Sequence, residues 1–510
     1  MKSVQRSLVF SAIERYASLV LFFISTAVLS RLLTPGEFGI CAVATAISAV
    51  LAASSQEFGG ANYLVQKSSL SETDVRTAFT ITLGLSIVGG CGLYLLGDAM
   101  GALSGSHELK TGITISVLNF AITPFSMTII ALLRRSMKFD VIAASNLLSN
   151  VTMVIVSVPL AVAGYGYTSP IWGMIAGSAA QAIYLVATRQ DLRIFRPSLE
   201  GYEDVVRFGL YSSGVVLINV FYNSAPQLFL SRVLDLSAVG LYSRAVNVTQ
   251  VFDKLVTQVV SPVILPAIFA QTEAGKKPRN IYLHAISLLT ALHWPFLIFM
   301  AIMAKPIISI WLGPTWLEVV PLIQLLCIGY LAMFAACLTY PVLVAVGRVQ
   351  DTLVSSLITL PPSLIIVFAA SFLGVEAVAA SAMLTLPFQA AVAILFISRH
   401  LDLRWMDFVH ATWKSGIVAL ACGATAAIAA AIIDFKLIGP FAGIIVACIS
   451  VAGSWFLALY AVQHPLLLEL SEPIRRIRSA VGRIGGAASL RRAGVNQDAI
   501  EKSRVAMEKR

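Results

Sequence analysis

The chain has 510 residues, of which 58% are hydrophobic and only 12% charged. That is too little polar surface for a soluble fold, so lipid is the solvent for most of the molecule. The formal net charge of +10 follows an orientation pattern along the chain and does not imply nucleic acid.

Apolar runs of about 20 residues, the length that crosses a bilayer, recur from end to end. We expect an all-α polytopic membrane protein with fourteen spans: residues 8–33, 38–56, 76–97, 112–133, 141–163, 170–187, 205–231, 246–270, 281–304, 321–346, 352–373, 376–397, 414–433 and 439–461. The first is expected to be a retained span. Lys2 and Arg6 precede it, but Glu14 and Arg15 interrupt it and it runs on to Leu33, unlike the short uninterrupted core of a cleaved signal. An even count puts both termini on one side. With that side cytoplasmic, 28 Lys and Arg lie on it and 6 opposite (Arg31, Lys110, Arg232, Arg244, Lys305, Lys436), while Arg15 and Lys254 fall inside spans. Without the ten in the tail the ratio is still 18 to 6, a positive-inside bias.

One stretch occurs twice. Leu29-Ser30-Arg31-Leu32-Leu33 and Gly39 recur 201 residues later as Leu230-Ser231-Arg232-Val233-Leu234 and Gly240. The register extends upstream, where Ser11 matches Ser212 and Ser18 faces Asn219. Such agreement argues for a unit copied within the chain, as in transporters built of two lobes around a central site. The expected division is a six-helix lobe at 1–190, a cytoplasmic linker at 191–204 and a second six-helix lobe at 205–400. Two extra helices follow at 401–463, then a basic cytoplasmic tail at 464–510. In that tail Ile474, Ile477, Val481 and Ile484 recur at helical spacing beside Arg475, Arg476, Arg478 and Arg483, as in a helix lying on an anionic leaflet.

Three spans carry a polar stripe, and a stripe of that kind does not face lipid. In the first it is Ser7, Ser11, Glu14, Ser18 and Ser25; in the seventh, Ser212, Asn219, Asn223 and Gln227. The eighth has Ser243, Asn247, Gln250, Lys254, Thr257 and Ser261, flanked by Asp253 and Gln258. The matching face of the second span is Ala42, Ala46, Ala49 and Ala53. A charge at a helix centre costs about 2.5–3.5 kcal/mol on insertion scales, so such residues persist where they pair or line water. Asp253 and Lys254 are adjacent and diverge by about 100°, which leaves Lys254 available to another partner. That partner is a substrate, or Glu14 across a cavity, or an interface reached by snorkelling. Arg31 and Arg232 sit at span ends, where an interfacial anchor is the expected role.

Enzyme chemistry finds little support. The six cysteines form no CxxC pair, and His284 and His293 are nine apart, on opposite faces of one helix. HExxH, GxSxG and Walker-type loops are absent. We expect a transporter that needs no metal or cofactor.

Ser11-Ala12-Ile13-Glu14-Arg15, the stretch Leu29 to Gly39 and Phe58-Gly59-Gly60-Ala61-Asn62-Tyr63-Leu64-Val65-Gln66 resemble the start of Wzx-like polysaccharide flippases. These form the polysaccharide-transporter branch of the multidrug/oligosaccharidyl-lipid/polysaccharide exporter superfamily. The resemblance is closest to members serving capsular, colanic-type and succinoglycan-type polysaccharides. It covers residues 8–465, is strong in the first 70 and is mostly topological beyond. Ser30, where the family more often has Ala, is a small departure.

The resemblance implies two lobes that move undecaprenyl-diphosphate-linked oligosaccharides across the bacterial inner membrane by alternating access. Membrane lipids are the surroundings, and a polysaccharide polymerase and co-polymerase are the implied partners. Lys254 and Arg15 would neutralise phosphate, while Ser18, Asn219, Asn223, Asn247 and Gln250 would replace sugar hydration. Glu14 and Asp253 are the expected coupling groups, for H+ or Na+. The competing expectation is a cation-coupled small-molecule antiporter on the same scaffold.

Overall fold

The computed structural model describes residues 2–253 and 278–469, apart from residues 59, 68, 105, 190, 335, 340–341, 344–347, 434–437 and 468. Lys254, Thr257, Gln258, Ser261 and the basic tail beyond residue 469 therefore lie outside the described residues. Among those described there is no strand. The helices are α1 (Lys2–Leu32), α2 (Pro35–Phe58), α3 (Ala61–Gln66), α4 (Glu72–Ser104), α5 (His107–Ser116), α6 (Leu118–Arg135), α7 (Phe139–Val162), α8 (Thr168–Ala187) and α9 (Tyr202–Val233). Then come α10 (Leu236–Thr249), α11 (Pro278–Ile302), α12 (Ala304–Trp311), α13 (Val319–Tyr330), α14 (Val349–Ser371), α15 (Val375–Leu401), α16 (Trp405–Ile432) and α17 (Pro440–Ala461).

Eleven segments among the described residues are long and apolar enough to cross a membrane, α5 and α6 forming one of them together. The chain is an all-α, multi-pass membrane protein. The other three expected spans fall on α9, on 246–270, described only to Asp253, and on 321–346. In the last, α13 passes into 3-10 turns at Leu331–Phe334 and Ala336–Leu338. Outward-facing side chains fit a lipid surround: Leu373 is 82% exposed, Tyr460 77% and Ile432 76%.

The duplicated stretch makes the same turn twice. α1 ends at Leu32, and Thr34 caps α2: the Thr34 N–H donates to Glu37 Oε2 at 2.8 Å while the Glu37 N–H donates to Thr34 Oγ1 at 3.4 Å. This is a capping box with Pro at the first helical position. At the position 201 further on, Asp235 caps α10 by accepting from the Ala238 N–H at 2.7 Å. The two turns then lock together. A methyl added to Gly39 would collide with the Leu236 carbonyl oxygen, and one added to Gly240 with that of Pro35. Gly39 and Gly240, like Pro35 and Leu236, are 201 positions apart, so α2 and α10 cross about a local pseudo-twofold. Close backbone approach of this kind needs glycine.

Around this crossing lies the largest apolar core, which includes Leu29, Leu33, Val43, Leu230, Val239 and Trp316. α2 packs on both α9 and α10; α1 packs on α7, and α7 on α8. In the later part of the chain α13 and α14 pack on α15, α14 also on α9, and α16 joins α11 to α17. Residues 193–200 are pinned to α4: Arg76 Nε donates to the Arg196 carbonyl at 3.2 Å and Thr77 Oγ1 to that of Glu200 at 2.8 Å.

Candidate functional site

Two adjoining cavities lie along α9. The first, about 850 Å³, sits beneath the α2/α10 crossing. The second, about 1300 Å³, reaches an exposed rim at Lys67, Asp204 and Arg207. Asn223 and Met333 line both, so the two are neighbours.

The polar stripe of α9 climbs from one cavity to the other: Asn219 lines the second, Asn223 both, and Gln227 the first. On α10 and just beyond its end, Asn247, Gln250 and Asp253 line the first, and Gln250 Nε2 donates to the Tyr330 hydroxyl at 3.0 Å. Opposite them is the small-residue face of α2, Ala42, Ala46 and Ala49, whose lack of bulk leaves the space. The stripes expected on the seventh and eighth spans thus meet at one chamber.

Of the α1 stripe, the described side chains Glu14, Ser18 and Ser25 line neither cavity. Glu14 Oε1 accepts from Ser18 Oγ at 3.0 Å, and Ser18 Oγ accepts from Asn150 Nδ2 of α7 at 2.8 Å. Glu14 and Ser18 thus form a polar cluster between α1 and α7. Arg15, on the same helix, has a buried Nη1 without a hydrogen-bond partner among the described residues. The expected convergence of all three stripes on one chamber is met by α9 and α10 only. Periodicity groups side chains on a face; it does not say which neighbour that face meets.

One cavity residue escaped sequence reasoning. Arg244, expected in a far-side loop, lies on α10 and is 8% exposed. Its guanidinium stands 3.6 Å from the Phe38 ring centroid and 5.7 Å from that of Trp316. It lines the first cavity, and among the described residues it joins no ion pair. The signal was available: aligning Asp235 with Thr34 as caps starts α10 at Leu236 and carries Arg244 two turns inside. Ser243, beside it, lines the same cavity and has a buried hydroxyl without a partner among the described residues. Together these groups offer a cation and neutral donors and acceptors in a space closed at the crossing.

Among the described residues no cluster of His, Cys, Asp or Glu could hold a metal ion.

The family model described as polysaccharide biosynthesis protein matches residues 28–321. The lipopolysaccharide biosynthesis protein WzxC of Escherichia coli K12 is 26% identical over 327 residues, 62% of this chain and 65% of WzxC. The chain therefore spans just under two thirds of that relative's length. The succinoglycan biosynthesis transport protein ExoT of Rhizobium meliloti 1021 is 24% identical over 356 residues, 68% of this chain and 70% of ExoT. Among solved structures, the lipid II flippase MurJ in an inward closed conformation matches 87% of this chain and 98% of its own. That match has a TM-score of 0.68 at 14% identity, which is a likeness of fold. With more than half of its length matched, the chain belongs to the polysaccharide biosynthesis protein family and is Wzx-like, as its first 70 residues lead one to expect.

Proposed function

We propose that the protein is a flippase that moves undecaprenyl-diphosphate-linked oligosaccharide repeat units across the bacterial inner membrane by alternating access, for exopolysaccharide, capsule or O-antigen assembly. The observation that carries this reading is Arg244. A buried guanidinium without a carboxylate is costly unless an anion arrives to neutralise it. Here it lines a chamber whose polar groups are mostly amides and hydroxyls, with the Asp253 carboxylate farther along the wall and apolar side chains between them. A diphosphate–sugar head group has the matching chemistry, and its polyprenyl tail can stay in the bilayer. The names of WzxC and ExoT, each tied to a surface polysaccharide, point the same way.

On this reading residues 1–190 and 205–400 are the two lobes, and the α2/α10 crossing seals the periplasmic end. The rim at Lys67 and Arg207 then faces the cytoplasm, in keeping with the positive-inside bias. The chamber is loaded from that side. Lys254, one residue beyond Asp253 on the cavity wall, supplies a second cation, and Arg15 a third in the other lobe. Glu14, tied to Ser18 and Asn150, is the proton carrier of the coupling step, with Asp253 as its counterpart at the chamber. A polymerase and co-polymerase receive the delivered unit.

Purified protein in vesicles, loaded with the glycolipid, tests this. Arg244→Gln and Lys254→Ala should each slow translocation at least tenfold while the protein stays folded, and Glu14→Gln should make it indifferent to a proton gradient. Unchanged flipping in Arg244→Gln removes the anion site, and gradient-driven flipping in Glu14→Gln removes the coupling role.

A further inference from the structure

The second cavity differs chemically from the first, and the difference assigns the two ends of one ligand. Its cations are at the rim, and Lys67 is already engaged: its Nζ lies 2.8 Å from Asp74 Oδ1 and 2.8 Å from the Tyr63 hydroxyl. Hydrogen bonding to Asp74 and then to Tyr63 raises the Lys67 pKa above the ordinary lysine value. Arg207 sits three positions from Asp204, near the start of α9. Deeper in, the wall is uncharged. Thr352, Ser355, Ser356 and Thr359 step along one face of α14, and Gln389 joins them from α15.

The hydrogen bonding of this wall is incomplete in a particular way. Thr339 is 9% exposed, and among the described residues neither its Oγ1 nor the buried Oγ1 of Thr352 has a hydrogen-bond partner. Leaving a buried hydroxyl unmade costs more than making an average hydrogen bond gains. Gln389 Nε2 donates to the Tyr222 hydroxyl at 2.7 Å and to Ser363 Oγ at 3.3 Å. Both its amide hydrogens are thereby engaged, which leaves the side-chain oxygen to accept from a ligand hydroxyl. At about 1300 Å³ the chamber also exceeds the roughly 300–1,000 Å³ usual for small-molecule pockets.

We infer that this cavity is a saccharide subsite, in which Thr339, Thr352 and Gln389 recognise the hydroxyls of an uncharged oligosaccharide while the first cavity holds the diphosphate at Arg244. The inference rests on the flippase reading and adds to it where the sugar lies and which residues select it. Phosphate in the second cavity would find among the described residues no unpaired buried cation. Sugar there meets hydroxyl and amide groups that act as donors and acceptors without the desolvation cost of a charge.

The test compares two probes on full-length protein in nanodiscs: undecaprenyl diphosphate, and the undecaprenyl-diphosphate-linked repeat unit extracted from the producing strain. The Thr339→Val/Thr352→Val double variant keeps side-chain shape and removes only unpartnered hydroxyls, so its melting temperature should equal or exceed that of the parent. It should bind the glycolipid about tenfold more weakly and the bare diphosphate unchanged. Gln389→Leu should do the same, whereas Arg244→Gln should weaken both probes. Equal losses for both probes in the threonine variant, or no loss for either, overturn the subsite. A parent protein that binds both probes equally tightly also overturns it and leaves the flippase reading standing. A parent that binds neither overturns the flippase reading and the subsite with it.

Discussion

Gly39 and Gly240 occupy equivalent positions in the two copies of one turn, and each lies against the backbone carbonyl at the start of the other's helix. The contact is reciprocal, Gly39 with Leu236 and Gly240 with Pro35, so the same local structure serves as both halves of its own interface.

Gly240→Ala should force α2 and α10 apart. Overpacking a well-fitted contact costs about 1–3 kcal/mol, read as a lower melting temperature in detergent. If the crossing seals the first cavity, as proposed, labelling of Cys41 by a membrane-impermeant thiol reagent should quicken from the side where α1 ends. The other five cysteines would be replaced by serine. Gly36→Ala is the control, since a methyl there meets only Ser237 Oγ at an ordinary 3.5 Å. Parental melting and labelling in Gly240→Ala would show that the crossing is no seal.

Arg244 gives a prediction in which stability and transport part company. Exchanging a buried, unpaired cation for an apolar side chain of similar length is often neutral or stabilising. Arg244→Met should therefore melt no lower than the parent while export of surface polysaccharide is lost. A stability loss of several kcal/mol together with normal export would mean that stacking on Phe38 is the whole role of Arg244.

The residues that sequence reasoning placed well are those whose physics is local. The face shared by Asn219, Asn223 and Gln227 follows from side chains about two turns apart on one helix. Arg244 was misplaced because its helix was started ten residues late; hydropathy averages over a window and blurs a polar first turn, whereas the Asp235 cap marks the start. Glu14 and Ser18 share a stripe of α1, but the Asn150 amide that donates to Ser18 is 132 positions away, and no periodicity within α1 points to α7. Thr339 and Gln389 gave no signal at all. An isolated hydroxyl or amide in an apolar run becomes informative only when its unmade hydrogen bonds are seen in three dimensions.

At the end where the crossing sits, side chains from either part of the chain close on backbone carbonyls of the other. Trp316 Nε1 donates to the Ser30 carbonyl at 2.7 Å, Trp311 Nε1 to that of Phe23 at 3.0 Å, and Arg31 Nη2 to that of Ile310 at 2.8 Å. Ser30 lies in the last turn of α1, where carbonyls lack helical partners, so Trp316 satisfies an otherwise orphaned acceptor. Trp316→Phe should cost about 1–3 kcal/mol by leaving that buried acceptor unmade. Trp311→Phe should cost less, because the Phe23 carbonyl lies within α1 and has a helical partner. Equal losses in thermal melts of the two variants would contradict this ordering.

The segment after α17 is held by a histidine that must be neutral. His464 is buried; its Nδ1 accepts from the Leu466 N–H at 3.1 Å, which puts the ring proton on Nε2, 3.1 Å from Ser415 Oγ and 3.3 Å from Ser287 Oγ. Burial, with Lys414 and His284 adding like charge, lowers its pKa from 6.5 to about 4. The undocked segment therefore takes up a proton between those values that the docked one refuses. Docking is at full strength above pH 6.5, weakens as the pH falls toward 4 and levels off below that. Protection factors for amide exchange at residues 462–467, taken relative to intrinsic exchange at each pH across that range, should fall on acidification, and His464→Phe should remove that pH dependence. An unchanged pH profile in His464→Phe would assign the titration to another group.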